Sequence, residues 1–131
     1  AGQRRFLTSD WKLSPKSNRI GFRLDGPEWT FTDKATNKAP ENGSDPSNTI
    51  DHGYPIGAIN LCGQTPIILL HDTLTLGGFI NPFTVPSAAF WKLGQSRPNE
   101  NFDFELISVE EAQARKRSIN ALCSEDSIEV V

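Results

Sequence analysis

The sequence predicts a mainly β domain, a closed or nearly closed barrel of short strands with one or two flanking helices. Three observations carry this prediction. Nine prolines and ten glycines are scattered through 131 residues, with no repeat and no low-complexity tract, which favours short strands and turns over a helical bundle. Apolar residues alternate with polar ones in short windows bounded by turn residues, the period of a half-buried strand. Only two segments, opening at Ser87 and Ser108, read as helices. The length suits one domain, residues 1–131, with a single core. Closure is expected because it removes exposed strand edges.

In chain order, Arg19 to Leu24 alternates: Ile20, Phe22 and Leu24 share one face, Arg19 and Arg23 the other, and Asp25-Gly26-Pro27 ends the strand. Residues 33–49, rich in Asn, Lys, Pro, Ser and Gly, read as a long loop. Ile56 to Cys62 is a strand, Gly63-Gln64-Thr65-Pro66 a turn, and Ile67 to Leu70 a short strand buried on both faces. Asp72 to Phe79 reads as a loop, and Ile80 to Val85 as a strand interrupted by Pro82. Ser87 is the expected cap of a helix running to Gln95 and carrying Phe90, Trp91 and Leu93. Phe102, Phe104 and Leu106 alternate as a further strand. Ser108-Val109-Glu110-Glu111 is a capping box. Its helix places Val109, Ala112, Ile119 and Leu122 roughly on one face, expected to pack against the barrel. Residues 124–131 form an acidic tail expected to fray.

Several function classes are disfavoured. A formal charge of −3 calls for neither nucleic acid nor an anionic membrane, and Arg4-Arg5 and Arg115-Lys116-Arg117 read as solvated surface. No apolar run approaches the ~20 residues that span a bilayer. The opening AGQRRFLTSDW lacks the apolar segment of a signal peptide. The absence of Met suggests a processed product or a piece of a longer polypeptide. Cys62 and Cys123 have no metal-site spacing and read as buried free thiols, which agrees with a cytoplasmic location.

The chemistry concentrates in two polar loops, Asp45 to Gly57 and Asp72 to Phe79. A hairpin turning near residues 63–66 brings residues 52–57 close to 72–77, so the loops share one rim. His52 and His71 each adjoin an aspartate, but adjacent strand residues point to opposite faces, so a cross-loop pair such as Asp51 with His71 is the geometry to look for. Asp72 directly follows a buried strand and suits a general base or a holder of a substrate amide; alternatively it caps its own loop. Gly77-Gly78 could offer N–H groups to an anion or form a tight turn. Arg19 and Arg23 could hold a carboxylate, though Arg23 reads rather as part of an exposed face, and Tyr54, the single tyrosine, could be a core residue.

Ser17-Asn18-Arg19-Ile20-Gly21-Phe22-Arg23-Leu24-Asp25-Gly26-Pro27 resembles the SNRxGxRLxGP signature of the allophanate hydrolase subunit 2 family. That family includes the carboxyltransferase part of urea carboxylase and the 5-oxoprolinase C subunits related to KipA proteins. Pro46 to Gly57 is similar to the urea carboxylase pattern PSNIHDNxYxIG, Asp72 to Phe79 to DGPSLGGF, and Phe90 to Pro98 to LWKxGQLRPGD. Thr73-Leu74 stands where the pattern has Gly-Pro, and Pro98-Asn99-Glu100 where it has Pro-Gly-Asp. The resemblance implies a cyclophilin-like β-barrel, the second half of a longer family domain, with the active site between subdomains. It also implies a part in moving a carboxyl group from carboxybiotin to urea or a related small amide. Asp72 and Asp51 would be the catalytic polar acceptors. Asn48, Tyr54, His71, Thr75 and Arg19 would contact substrate, and Gly77 and Gly78 would supply backbone donors. Biotin and ATP chemistry would belong to other domains, with no cofactor or metal held by this chain. Its partner would be the other half of the carboxyltransferase domain or a companion subunit. The alternatives are a 5-oxoprolinase subunit opening a lactam with ATP, and a non-catalytic binding or regulatory barrel.

Overall fold

A computed structural model describes residues 2–127, the side chain of Glu125 excepted. Its elements are α1 (Gly2–Leu7), β1 (Trp11–Leu13), β2 (Gly21–Asp25), α2 (Asp33–Thr36), β3 (Asn48–Gly53), β4 (Ala58–Cys62), β5 (Thr65–Leu69), β6 (Leu76–Thr84), α3 (Phe90–Gln95), β7 (Asn101–Phe102) and α4 (Val109–Leu122). The seven strands form one antiparallel sheet in the order β3-β6-β4-β5-β2-β1-β7. The mainly β reading holds. Closure does not: among the described residues β3 and β7 each pair on one side only, so the barrel stays open.

The centre of the sheet is the β4–β5 hairpin. Cys62 pairs with Thr65, so the turn is tighter than expected and Thr65-Pro66 belong to β5. Gly63 takes the positive φ of 57° that the first position of such a two-residue turn needs. β6 joins the end of the expected loop to the expected broken strand. Pro82 falls where Ile80 to Phe83 spans three steps on β6 against two from Leu61 to Ile59 on β4, a bulge that absorbs its missing N–H.

One face of the sheet carries the main core. Leu24, Ile59 and Ile68 pack with Phe6 of α1, Trp11 and Leu93 of α3. Phe6 is its hub, with ring centroids 5.1 Å from Trp11, 5.2 Å from Phe83 and 4.9 Å from Phe104. The Trp11 indole N–H donates to the Phe6 carbonyl at 2.9 Å, which satisfies its polar handle inside the core. The opposite face carries a smaller cluster of Tyr54, Ala58 and Leu69, edged by Ile67 and Phe79.

Several expectations are corrected. Arg19 and Ile20 precede β2 rather than lying in it, and Ile20 is half exposed. Residues 33–49 are not one loop: they hold α2, a 3-10 turn at Pro40–Asn42 and the start of β3. Ser87 opens a 3-10 turn that runs into α3, with Pro86 at the cap position and no side-chain cap bond. Of the alternating Phe102, Phe104 and Leu106, only Phe102 is paired in a strand; Phe104 packs into the core and Leu106 is exposed. Ser108 does cap α4, its hydroxyl accepting from the Glu111 N–H at 3.1 Å, but the Glu111 carboxylate turns to Arg115 at 2.5 Å instead of back to the cap. α4 is not packed on the sheet. Val109 is 67% and Leu122 76% exposed, and the helix touches the turn at Ser87–Ala89 across a cavity of about 500 Å³. Cys62 is half buried and Cys123 exposed, not both buried. In the acidic tail Glu125–Ser127 forms a 3-10 turn, and residues 128–131 lie outside the described residues.

Candidate functional site

The hairpin does bring the two polar loops to one rim. Gly53 pairs with Leu76 and His52 with Gly77, and the Tyr54 N–H donates to the Thr75 carbonyl at 2.7 Å. The candidate residues then separate into three neighbourhoods.

The first is a largely apolar cavity of about 360 Å³ walled by Phe22, Ile56, Phe90 and Leu93, with Arg19, His71 and Asp72 at its mouth. Arg19 Nε lies 2.7 Å from Asp72 Oδ2. Both side chains are largely in water, so screening weakens the pair, but it orients the carboxylate. The His71 ring meets Phe90 edge-on at 6.4 Å. No bond joins His71 to Asp51: Asp72 is engaged by Arg19, and Asp51 lies on β3, across β6 from the rest of the sheet.

The second is a cavity of about 220 Å³ on the sheet face opposite the main core, lined by Arg23, Tyr54, Asn60, Leu74 and Gly77 among others. The Tyr54 ring is buried, and its hydroxyl accepts from the Phe79 N–H at 2.6 Å. Gly77 is required by that ring: a Cβ there would lie 2.8 Å from the Tyr54 hydroxyl.

The third is the β3–β6 edge. Here Gly78 lies so close to β3 that a Cβ would meet the Thr49 carbonyl at 2.8 Å and Asp51 Oδ1 at 2.9 Å. Gly77-Gly78 is thus a flat stretch of strand, not a turn. Lys38 Nζ donates to the Asn48 carbonyl at 2.6 Å and also to the Asp45 carbonyl, tying the preceding loop to β3. Asp45 Oδ1 accepts from the Ser47 hydroxyl at 2.5 Å and the Ser47 N–H at 2.8 Å, in that order of effect, and these bonds hold its carboxyl below the usual aspartate value. The buried Ser47 oxygen in turn accepts from the Gly63 N–H at 3.0 Å, pinning the loop to the β4–β5 turn.

Residue-by-residue reading of the sequence misses a relay across β6. His52 Nδ1 lies 3.0 Å from the Ile50 carbonyl and Nε2 2.8 Å from Asn81 Oδ1, while Asn81 Nδ2 donates to Asn60 Oδ1. Both partners of the imidazole are acceptors, so the Ile50 carbonyl first and the Asn81 amide second raise the His52 pKa above its ordinary 6.5. The available signal was Asn60 itself, a lone amide inside the apolar run Ala58-Ile59-Asn60-Leu61. Among the described residues no group of three or more His, Cys, Asp and Glu could hold a metal ion, and no helix is long and apolar enough to cross a membrane.

Comparison with known proteins agrees with this architecture. Residues 1–106 match the family model of the carboxyltransferase domain, subdomain A and B. The chain is 40% identical over 86% of its length to the urea amidolyase of Saccharomyces cerevisiae, of which it spans 6%. It is 31% identical over 86% of its length to the 5-oxoprolinase C subunit of Escherichia coli, of which it spans 33%. The crystal structure of Kluyveromyces lactis urea carboxylase superposes on 98% of the chain with a TM-score of 0.80 at 33% identity, the match taking up 11% of that structure's chain. The family model over residues 1–106 and these relatives place the chain in the family of carboxyltransferase domains of subdomain A and B type, alongside urea carboxylase-like proteins and 5-oxoprolinase C subunits.

Proposed function

We propose that this chain forms part of a carboxyltransferase centre acting on urea or a related small amide, with carboxybiotin as donor. The observation that supports this most is the Arg19–Asp72 pair at the mouth of an apolar cavity, in a chain 40% identical to a urea amidolyase. The residues there fit the donor: Phe22, Ile56, Phe90 and Leu93 suit its apolar sulfur ring and hydrocarbon chain, and Arg19 suits its anionic carboxyl. Carboxybiotin, when bound, supplies the carboxyl group to be transferred. Asp72 accepts a hydrogen bond from the attacking amide nitrogen and takes up its proton. Arg19 fixes the orientation of Asp72 and sets positive charge beside the developing anion. His71 borders the same cavity and contacts substrate from the side of Phe90.

Asp51, Asn48 and Thr75, with the backbone of Gly77 and Gly78, belong to the adjoining β3–β6 edge, where the other half of the domain or a companion subunit would meet them. Tyr54 serves through its buried ring and hydroxyl, which fix that edge. ATP chemistry is assigned to other domains, and the location to the cytoplasm. In the full-length polypeptide carrying this sequence, Asp72→Ala lowers urea-dependent turnover on the order of 10²-fold while circular dichroism stays unchanged. Unaltered turnover removes Asp72 from the mechanism. The similarity to the 5-oxoprolinase C subunit supports a second reading, an ATP-dependent lactam-opening complex. Activity on 5-oxoproline, with none on urea, would select it. Binding to a protein partner alone, with no response to either compound, would leave a regulatory module.

A further inference from the structure

The cavity on the sheet face opposite the main core has a polar floor that the carboxyl-transfer reading does not use. Register places its two key residues in one row: Asn60 pairs with Ile67 across β4–β5, and Ile67 pairs with Arg23 across β5–β2. Arg23 and Asn60 therefore flank Ile67 on the same face, two strand spacings or roughly 10 Å apart. Arg23 is held there from behind. Its N–H donates to the Ser17 hydroxyl at 2.9 Å, and its carbonyl accepts from the Ser14 N–H at 2.9 Å. Asn18 Oδ1 accepts from the Ile20 N–H at 2.9 Å in the same turn. The Ser17-Asn18 portion of the signature thus braces the start of β2, and its second arginine lines the cavity. Among the described residues no carboxylate lies within ion-pair distance of Arg23.

Asn60 is 5% exposed, and its orientation is dictated by its neighbours. His52 Nε2 donates to Asn81 Oδ1, so Asn81 turns its Nδ2 to Asn60 Oδ1. That leaves Asn60 Nδ2 a donor with no protein acceptor among the described residues, on a side chain that lines the cavity. A guanidinium and an amide N–H₂ facing one space read an acceptor-only group. The rest of the lining mixes aliphatic Ile20, Leu74 and Leu76 with Asn18, Tyr54 and Thr73, and Leu74 is 77% exposed.

We propose that this cavity binds a small aliphatic carboxylate, its oxygens held between Arg23 and Asn60 and its chain against Leu74 and Leu76. The site is separate from the Arg19–Asp72 cavity and does not depend on the reading of that one. Sodium butyrate and its neutral isostere butyramide are the probes, titrated calorimetrically into the full-length polypeptide with saturation-transfer NMR as the second readout. Butyrate binds, and butyramide binds at least roughly tenfold more weakly. Arg23→Gln weakens butyrate by roughly tenfold or more, and Arg23→Lys by less, since it keeps the charge and loses the fork. The Arg23 side chain is exposed and its backbone bonds are independent of it, so these variants fold. Equal affinity for butyrate and butyramide, no butyrate binding, or an Arg23→Gln variant that binds as the parent does would each overturn the proposal. None of these readouts uses urea turnover, so their failure leaves the Asp72 assignment standing.

Discussion

Ser47 shows how much a single buried hydroxyl can organise. It donates to Asp45, and it accepts from the Gly63 backbone in the turn of another hairpin. Ser47→Ala leaves that Gly63 N–H without its partner, and a loss of about 1–3 kcal/mol in urea-unfolding stability is expected. His52 adds a pH dependence at the sheet edge. Its folded pKa is raised, first by the Ile50 carbonyl and then by Asn81, so its stabilising contribution is complete below the ordinary value of 6.5 and is lost as pH rises through the folded value. An NMR titration places the His52 midpoint above 6.5, and Asn81→Ala moves it back toward that value. A midpoint at or below 6.5 contradicts the relay. At this scale the residue types were legible, with Asp45, Ser47 and His52 all inside the polar loops picked out by composition. Their partners were not, because Gly63 and Asn81 are 16 and 29 residues away and are brought near only by strand pairing.

At the scale of elements, Gly77 beneath Tyr54 is a close local constraint. Gly77→Ala sets a methyl against the phenol, displaces the hydroxyl from the Phe79 N–H, and costs about 1–3 kcal/mol, measured by the midpoint of thermal or urea unfolding. α4 illustrates the opposite case. Its start was readable from Ser108, and its apolar face from the spacing of Val109, Ala112, Ile119 and Leu122, yet within this chain that face meets little beyond the Ser87–Ala89 turn. Replacing Val109 and Leu122 together by Ser therefore changes the unfolding midpoint of this chain by no more than about 0.5 kcal/mol equivalent. A large loss would show that the face is covered. The Phe102-Asp103-Phe104-Glu105-Leu106 alternation misled for a related reason. Period-2 patterning reports which residues seek burial, but a strand also needs an edge to pair with, and β1 offers partners only to Asn101 and Phe102.

For the whole molecule, composition and patterning were sufficient for the mainly β class, the β4–β5 hairpin and the common rim of the two polar loops. These follow from local rules, alternation and turn chemistry, that act over a few residues. Barrel closure, the division of the candidate residues among two cavities and a sheet edge, and the pairing of Asp72 with Arg19 rather than of Asp51 with His71 do not follow from such rules. They depend on strand order, and in β3-β6-β4-β5-β2-β1-β7 the pairings of β6 with β3 and of β2 with β5 join distant parts of the chain. Pairing between remote segments carries a loop-closure cost that no short window encodes, so it is decided when the competing strand arrangements are weighed together in the folded core.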